Sequence, residues 1–107
     1  MEFINRIELQ GLVGKVSLHK VGDQICARFS VCTETTYQGE DGSIVVECTW
    51  LNCTAWSGKC PQVTELQQRE SKVHIIGRIR SSRYMTANDE ERTILEVFAN
   101  YLKIIND

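Results

Sequence analysis

A chain of 107 residues and 12.2 kDa fits one domain, large enough for a core and small enough that association would add to its stability. Its formal charge of −2 and pI near 5.7 carry no overall basic signature, and no apolar run approaches the ~20 residues that span a bilayer. Five cysteines are an odd count lying in strand-like runs rather than a small disulfide framework, so they read as reduced thiols of a cytoplasmic protein.

The start, MEFINRIELQ, lacks the basic head and apolar body of a secretory signal. From Ile4 to Val13 the pattern alternates, with Ile7, Leu9 and Val13 opposed to Glu8 and Gln10, which predicts a half-buried first strand. Gly11 and Gly14 allow it a bulge or bend. Lys15 to Asp23 reads as a connection that ends in the turn signal Gly22-Asp23. Ile25 to Thr35 is the second strand, where Ala27, Phe29 and Val31 alternate with Arg28 and Ser30. The Asp41-Gly42 pair then predicts an antiparallel hairpin, with Tyr37 at its base.

Ile44 to Trp56 is the longest strand-like run and carries both tryptophans. Alternation puts Trp50, Asn52, Thr54 and Trp56 on one face and Leu51, Cys53 and Ala55 on the other. The second set suits a core. Two indoles separated by a carboxamide and a hydroxyl make a better stacking surface than a core layer. Ser57-Gly58 ends the strand, and Pro61, Val63, Leu66 and Gln67 predict the one short helix.

Lys72 to Arg80 returns to alternation, with Val73, Ile75, Gly77 and Ile79 opposed to His74, Arg78 and Arg80. Met85 to Glu91 reads as a polar hairpin loop, and Thr93 to Ile104 as the last strand. Five strands, glycine bends in the first and a helix between the third and fourth predict an all-β OB-fold, a five-stranded Greek-key barrel. With no linker or low-complexity segment, residues 1–107 are expected to form a single domain.

Function follows from where charge and aromatics fall. Between Ser71 and Tyr84 the cations Lys72, Arg78, Arg80 and Arg83 occur with no acid among them, whereas Glu40, Asp41, Glu90, Glu91 and Glu96 lie elsewhere. A chain of negative net charge thus has the means to present a cationic groove. Tyr37, Trp50, Trp56 and Tyr84 belong to the strands and hairpins that border an OB binding face. Rings stack on unpaired bases, at typically ~1–3 kcal/mol per base, while cations follow the phosphates.

These pieces also carry a resemblance. Asn5-Arg6-Ile7-Glu8-Leu9-Gln10-Gly11, the run Phe29 to Glu34 leading to Tyr37, Glu47-Cys48-Thr49-Trp50, Ala55-Trp56-Ser57-Gly58-Lys59, and Ile76-Gly77-Arg78-Ile79-Arg80 before Tyr84 stand in order along nearly the whole chain. Together they resemble the DNA-binding domain of bacterial single-stranded DNA-binding proteins. That resemblance implies stacking aromatics at Tyr37, Trp50, Trp56 and Tyr84, and phosphate contacts from Lys59, Arg78, Arg80 and Arg83, with Lys15, Lys20 and Lys72 as lesser candidates. It further implies a homotetramer, or alternatively a dimer, that holds single-stranded DNA in replication, recombination or repair.

Two features depart from the family. The stretch after Gly14 is short and lacks an Asp-Pro-Glu element, and the chain ends at Ile104-Ile105-Asn106-Asp107 without the usual acidic-tipped tail, so tail-mediated recruitment of replication proteins is not expected. Primosomal replication protein B, a related tailless OB protein, is an alternative within the class.

Other chemistries have less support. His19 and His74 stand in no catalytic spacing. Cys60 precedes Pro61 at a helix start, where a thiol is more often buried than reactive. Cys48 and Cys53 are five apart in one strand and face opposite ways, so they cannot share a metal without a bulge. No catalytic residue, metal or cofactor is expected, and no membrane partner. The remaining alternative is a protein-binding module that uses the Trp50/Trp56 face.

Overall fold

The computed structural model describes residues 1–105, so the expectation placed on the Asn106-Asp107 end lies outside them. Five strands, β1 (Ile7–Val21), β2 (Gln24–Gln38), β3 (Ile44–Trp56), β4 (Lys72–Met85) and β5 (Glu91–Ile105), close in the order β1-β2-β3-β5-β4. The barrel is closed by β1 on β4, from Ile7↔Gly77 to Leu12↔Lys72, and by a short parallel pairing of β3 on β5, Cys53↔Val97 and Thr54↔Phe98. This is the OB-fold, as the order of elements predicts.

The core is built from the inward residues of alternating strands. Leu9, Val13, Ala27, Phe29, Val31, Cys53, Ala55, Val73, Ile75, Val97 and Ala99 fill the barrel. Val63 and Leu66 plug one end. The expected helix is a single 3-10 turn, Pro61–Glu65, whose one buried side chain is Val63. Leu66 follows in extended geometry, and Gln67 turns outward to donate its backbone N–H to Ser71 Oγ at 2.8 Å. Cys60, buried before that turn, has its thiol pKa raised by desolvation. This cysteine is a buried core residue.

β3 keeps its expected bounds, while β1, β2, β4 and β5 run farther than the sequence suggested. The Lys15 to Val21 stretch, expected as a connection, is the second half of β1 and pairs with β2 up to Val21↔Gln24, so Gly22-Asp23 is a two-residue hairpin turn. The register shifts between Val13 and Val16, where the extra residue of a bulge lets β1 bend and serve both neighbours. Gly22 has φ +61°, which suits glycine in such a turn. β2 and β3 pair without a break out to Gln38↔Ile44, so Tyr37 lies near the tip of this hairpin rather than at its base.

β4 leaves the barrel after Gly77, where a second register shift falls. Beyond it Ile79 is 41% exposed instead of facing the core as alternation predicted. Its backbone is bracketed by Asn5, which donates Nδ2–H to the Ile79 carbonyl and accepts the Ile79 N–H at Oδ1, at 2.7 and 2.9 Å. The β4–β5 ribbon continues as an arm to Met85↔Glu91. Two such arms explain a radius of gyration of 16.1 Å, against about 13 Å for a compact chain of this length.

One expectation about the cysteines is corrected. Cys32 and Cys48 form a disulfide, while Cys26, Cys53 and Cys60 are free and buried. The physical reason lies in the register: Cys32 opposes Trp50 and Cys48 opposes Glu34, so the two cysteines are diagonal neighbours on one face with Cα atoms 6.4 Å apart. Alternation separated Cys48 from Cys53 correctly but could not reveal a partner on another strand. No helix among the described residues is long and apolar enough to cross a membrane.

Candidate nucleic-acid interface

The outward face of β1, β2 and β3 floors an open groove of about 760 Å³, and the β4–β5 arm walls it. The ladders set the floor in rows. Ser17, Arg28 and Thr54 stand side by side across the three strands, Ser30 stands beside Asn52, Cys32 beside Trp50 and Cys26 beside Trp56. Arg80, Ser82, Arg83, Tyr84 and Glu96 face them from the arm.

Glu96 organises the wall. Its Oε1 accepts hydrogen bonds from Arg80 Nε at 2.6 Å and Ser82 Oγ at 3.1 Å, and its Oε2 accepts one from Thr54 Oγ1 at 2.9 Å. Burial acts to raise the Glu96 pKa. The donors Arg80, Thr54 and Ser82, with the Arg80 charge, outweigh burial and hold the carboxyl below its ordinary value. The Arg80 guanidinium also sits 4.5 Å from the centre of the Phe98 ring, on which Arg78 lies at 5.0 Å. Beneath this network the Cys53 thiol is pushed up to about 12 by desolvation and the nearby Glu96 charge. It is inert.

The expected stacking residues do not form one platform. Trp50 is 58% exposed and lies over Gly14, at the end of the floor where β1 bulges. Tyr84 is 48% exposed and lines the groove from the arm. Trp56, at the end of β3 opposite buried Cys26, is only half open. Thr54, expected on the open face, is buried under the arm by its bond to Glu96. Tyr37 is exposed on the β2–β3 arm, and the unbroken register puts it on the pleat face opposite to that of Trp50.

The cations divide in the same way. Arg83 lines the groove and makes an exposed ion pair with Glu91 at 3.3 Å, of the kind worth little in water. Arg80 lines it too, with its charge matched by Glu96. Arg78 faces outward on Phe98, and Lys59 sits exposed in the turn after β3; neither borders the groove. Of the lesser candidates, Lys15 borders the groove, Lys72 lines a smaller recess with Gln10 and Glu34, and Lys20 belongs to the β1–β2 hairpin.

Sequence reasoning passed over Arg28, Ser82 and Glu96. Arg28 carried a signal, since it alternates with core residues Ala27 and Phe29 and therefore had to face out. Glu96 carried none, because its three partners come from β3 and β4.

A closed barrel with an open polar groove across β1, β2 and β3 belongs to the OB class, whose members bind oligonucleotides or oligosaccharides on that face. The family model described as the single-strand binding protein family matches residues 4–105, and the chain belongs to that family. Curated single-stranded DNA-binding proteins of Neisseria meningitidis serogroups A and B are each 28% identical over 105 residues, covering 95% of this chain and 60% of theirs. The chain thus spans about 60% of the length of these relatives. Among solved structures, a Plasmodium falciparum SSB in complex with ssDNA has a TM-score of 0.81 at 17% identity, over 99% of this chain and 98% of that one. A deletion mutant of the Thermus aquaticus single-stranded DNA binding protein gives 0.74 at 10% identity, over 96% of this chain and 51% of that one.

Proposed function

We propose that residues 1–107 form one domain that binds single-stranded DNA with little sequence preference and catalyses no reaction. Trp50 carries this reading: an indole 58% exposed, seated on a glycine beside a groove where, among the described residues, Lys15, Arg28, Arg80 and Arg83 stand against the one carboxylate of Glu96. Exposed rings beside cations suit bases and phosphates together. Bases stack on Trp50, Trp56 and Tyr84, and Tyr37 receives a strand that continues around the β2–β3 arm. Lys59, Arg78 and Arg83 supply phosphate contacts along and beyond the groove.

The family membership and the named relatives support the same reading, and we assign the protein to DNA replication, recombination or repair. The protein acts as a homo-oligomer, a tetramer or a dimer, which extends the cationic surface past one barrel. The test is a titration with oligo-dT followed by quenching of intrinsic tryptophan fluorescence at low and high salt, with duplex of equal length as the control. Quenching by single strands only, weakened by salt, is the expected result. Absence of binding overturns the reading and leaves a protein partner for the same aromatic face.

A further inference from the structure

The groove presents its cations in two different states, and the difference decides which of them meets the bound strand. Arg28 stands on the central strand of the floor, flanked by Ser17 and Thr54, with its side chain exposed. Among the described residues it forms no ion pair and no side-chain hydrogen bond, and it is not among those with a further partner. Arg80, four residues before Tyr84, is half-buried, donates Nε–H to Glu96 at 2.6 Å and lies against Phe98.

The cations released on binding are those condensed on the nucleic-acid strand, set free as its phosphates are neutralised. A guanidinium already matched by the Glu96 carboxylate offers a phosphate little net charge and frees few of them, whereas an unpaired one neutralises a phosphate and frees its share. Lys15 stands on the same side of this divide as Arg28. It occupies the β1 bulge, where its backbone N–H is held by Ser30 Oγ at 3.0 Å, while Gln68 Oε1 accepts the neighbouring Val16 N–H at 3.2 Å. The bulge is thereby fixed from both sides with the Lys15 side chain exposed at the groove.

We propose that Arg28, with Lys15 beside it, is the phosphate-contacting residue of the groove floor, and that Arg80 is a positioning residue that serves Glu96 and the shape of the wall. This rests on the reading of the groove as a single-strand site. It departs from the pattern of basic residues in the chain, which points to Arg80 and leaves Arg28 out.

The experiment compares the slope of log affinity against log salt for fluorescein-labelled oligo-dT in three proteins: the wild type, Arg28→Gln, and the charge-neutral double variant Arg80→Gln/Glu96→Gln. Arg28→Gln removes an exposed side chain without partners, so its melting temperature stays at the wild-type value. Its slope falls in magnitude by about 0.7, the share of one phosphate contact on a single strand. The double variant keeps the wild-type slope, whatever its stability, provided it is measured below its own melting transition. A wild-type slope in Arg28→Gln, or an equal loss in the double variant, overturns the assignment while leaving the single-strand reading intact. A wild-type protein that does not bind oligo-dT overturns both.

Discussion

Gly14 lies under the indole of Trp50 so closely that a methyl group on residue 14 would come within 2.5 Å of Trp50 Cζ3 and 2.6 Å of Ser30 Oγ. The glycine in the first strand, legible in sequence only as a bend, is thus a seat for a ring. Gly14→Ala has to displace the indole or the bulge, at a cost of about 1–3 kcal/mol by the usual measure of overpacking. Urea unfolding of this variant should show a lower midpoint, and its tryptophan emission should shift. Wild-type values for both would mean that the ring does not rest there.

The two tryptophans should separate on mutation. Trp50→Ala removes an exposed ring and is expected to weaken single-strand binding by ~1–3 kcal/mol with little change in the circular-dichroism melt. Trp56 is half-buried opposite Cys26, so Trp56→Ala should also lower stability, by about 1–3 kcal/mol. Equal melts with equal losses of binding would contradict the difference in burial.

Glu96 makes the stability of the wall depend on pH. Its carboxyl titrates below the ordinary 4.5: burial alone would raise it, and the bonds from Arg80, Thr54 and Ser82 win. A group with a depressed folded-state pKa contributes stability that is fully present above the unfolded pKa and is lost as pH falls through the folded one. Glu96→Gln should therefore cost about 2 kcal/mol near neutral pH, as expected for hydrogen bonds to a charged group. The gap to wild type should close in acid below the ordinary carboxylate range. Denaturant titrations of both proteins at neutral and acid pH measure it, and a gap that does not change with pH would show that the ionised form is not the stabilising one.

The Cys32–Cys48 bond has a simple chemical signature. Protein purified without reductant and unfolded should expose three reactive thiols, Cys26, Cys53 and Cys60, rising to five after reduction. The bond links residues 16 apart, and by chain entropy its removal in Cys48→Ser costs up to about 3 kcal/mol. Five thiols before reduction would return the protein to the reduced state that its cysteine count suggested.

The sequence was most informative where one strand decides its own fate. Ala27, Phe29 and Val31, like Cys53 and Ala55, alternate into the core as their spacing requires, and Asp41-Gly42 and Gly22-Asp23 mark turns. It was least informative where partners lie on other strands. Lys15 to Val21 alternates only weakly, Val16 and Leu18 against Ser17 and His19, because Val16 alone packs against the core while Leu18 and Val21 lie exposed on the hairpin, so the pattern marked no continuous buried face. Thr54 reads as an open-face residue until β5 brings Glu96 over it, and Arg80 reads as a free cation for the same reason. Tyr37 and Trp50 look like members of one set until the register separates their faces.

The barrel has a weak seam. β3 and β5 meet through two residue pairs, Cys53↔Val97 and Thr54↔Phe98, whereas the other ladders among the described residues are several times longer. Opening costs least where the fewest bonds must break, so the cylinder parts there first. The Thr54 to Glu96 bond bridges that line from inside the groove. Anything lying in the groove spans the same line from above and would act as a rivet across the barrel's shortest joint.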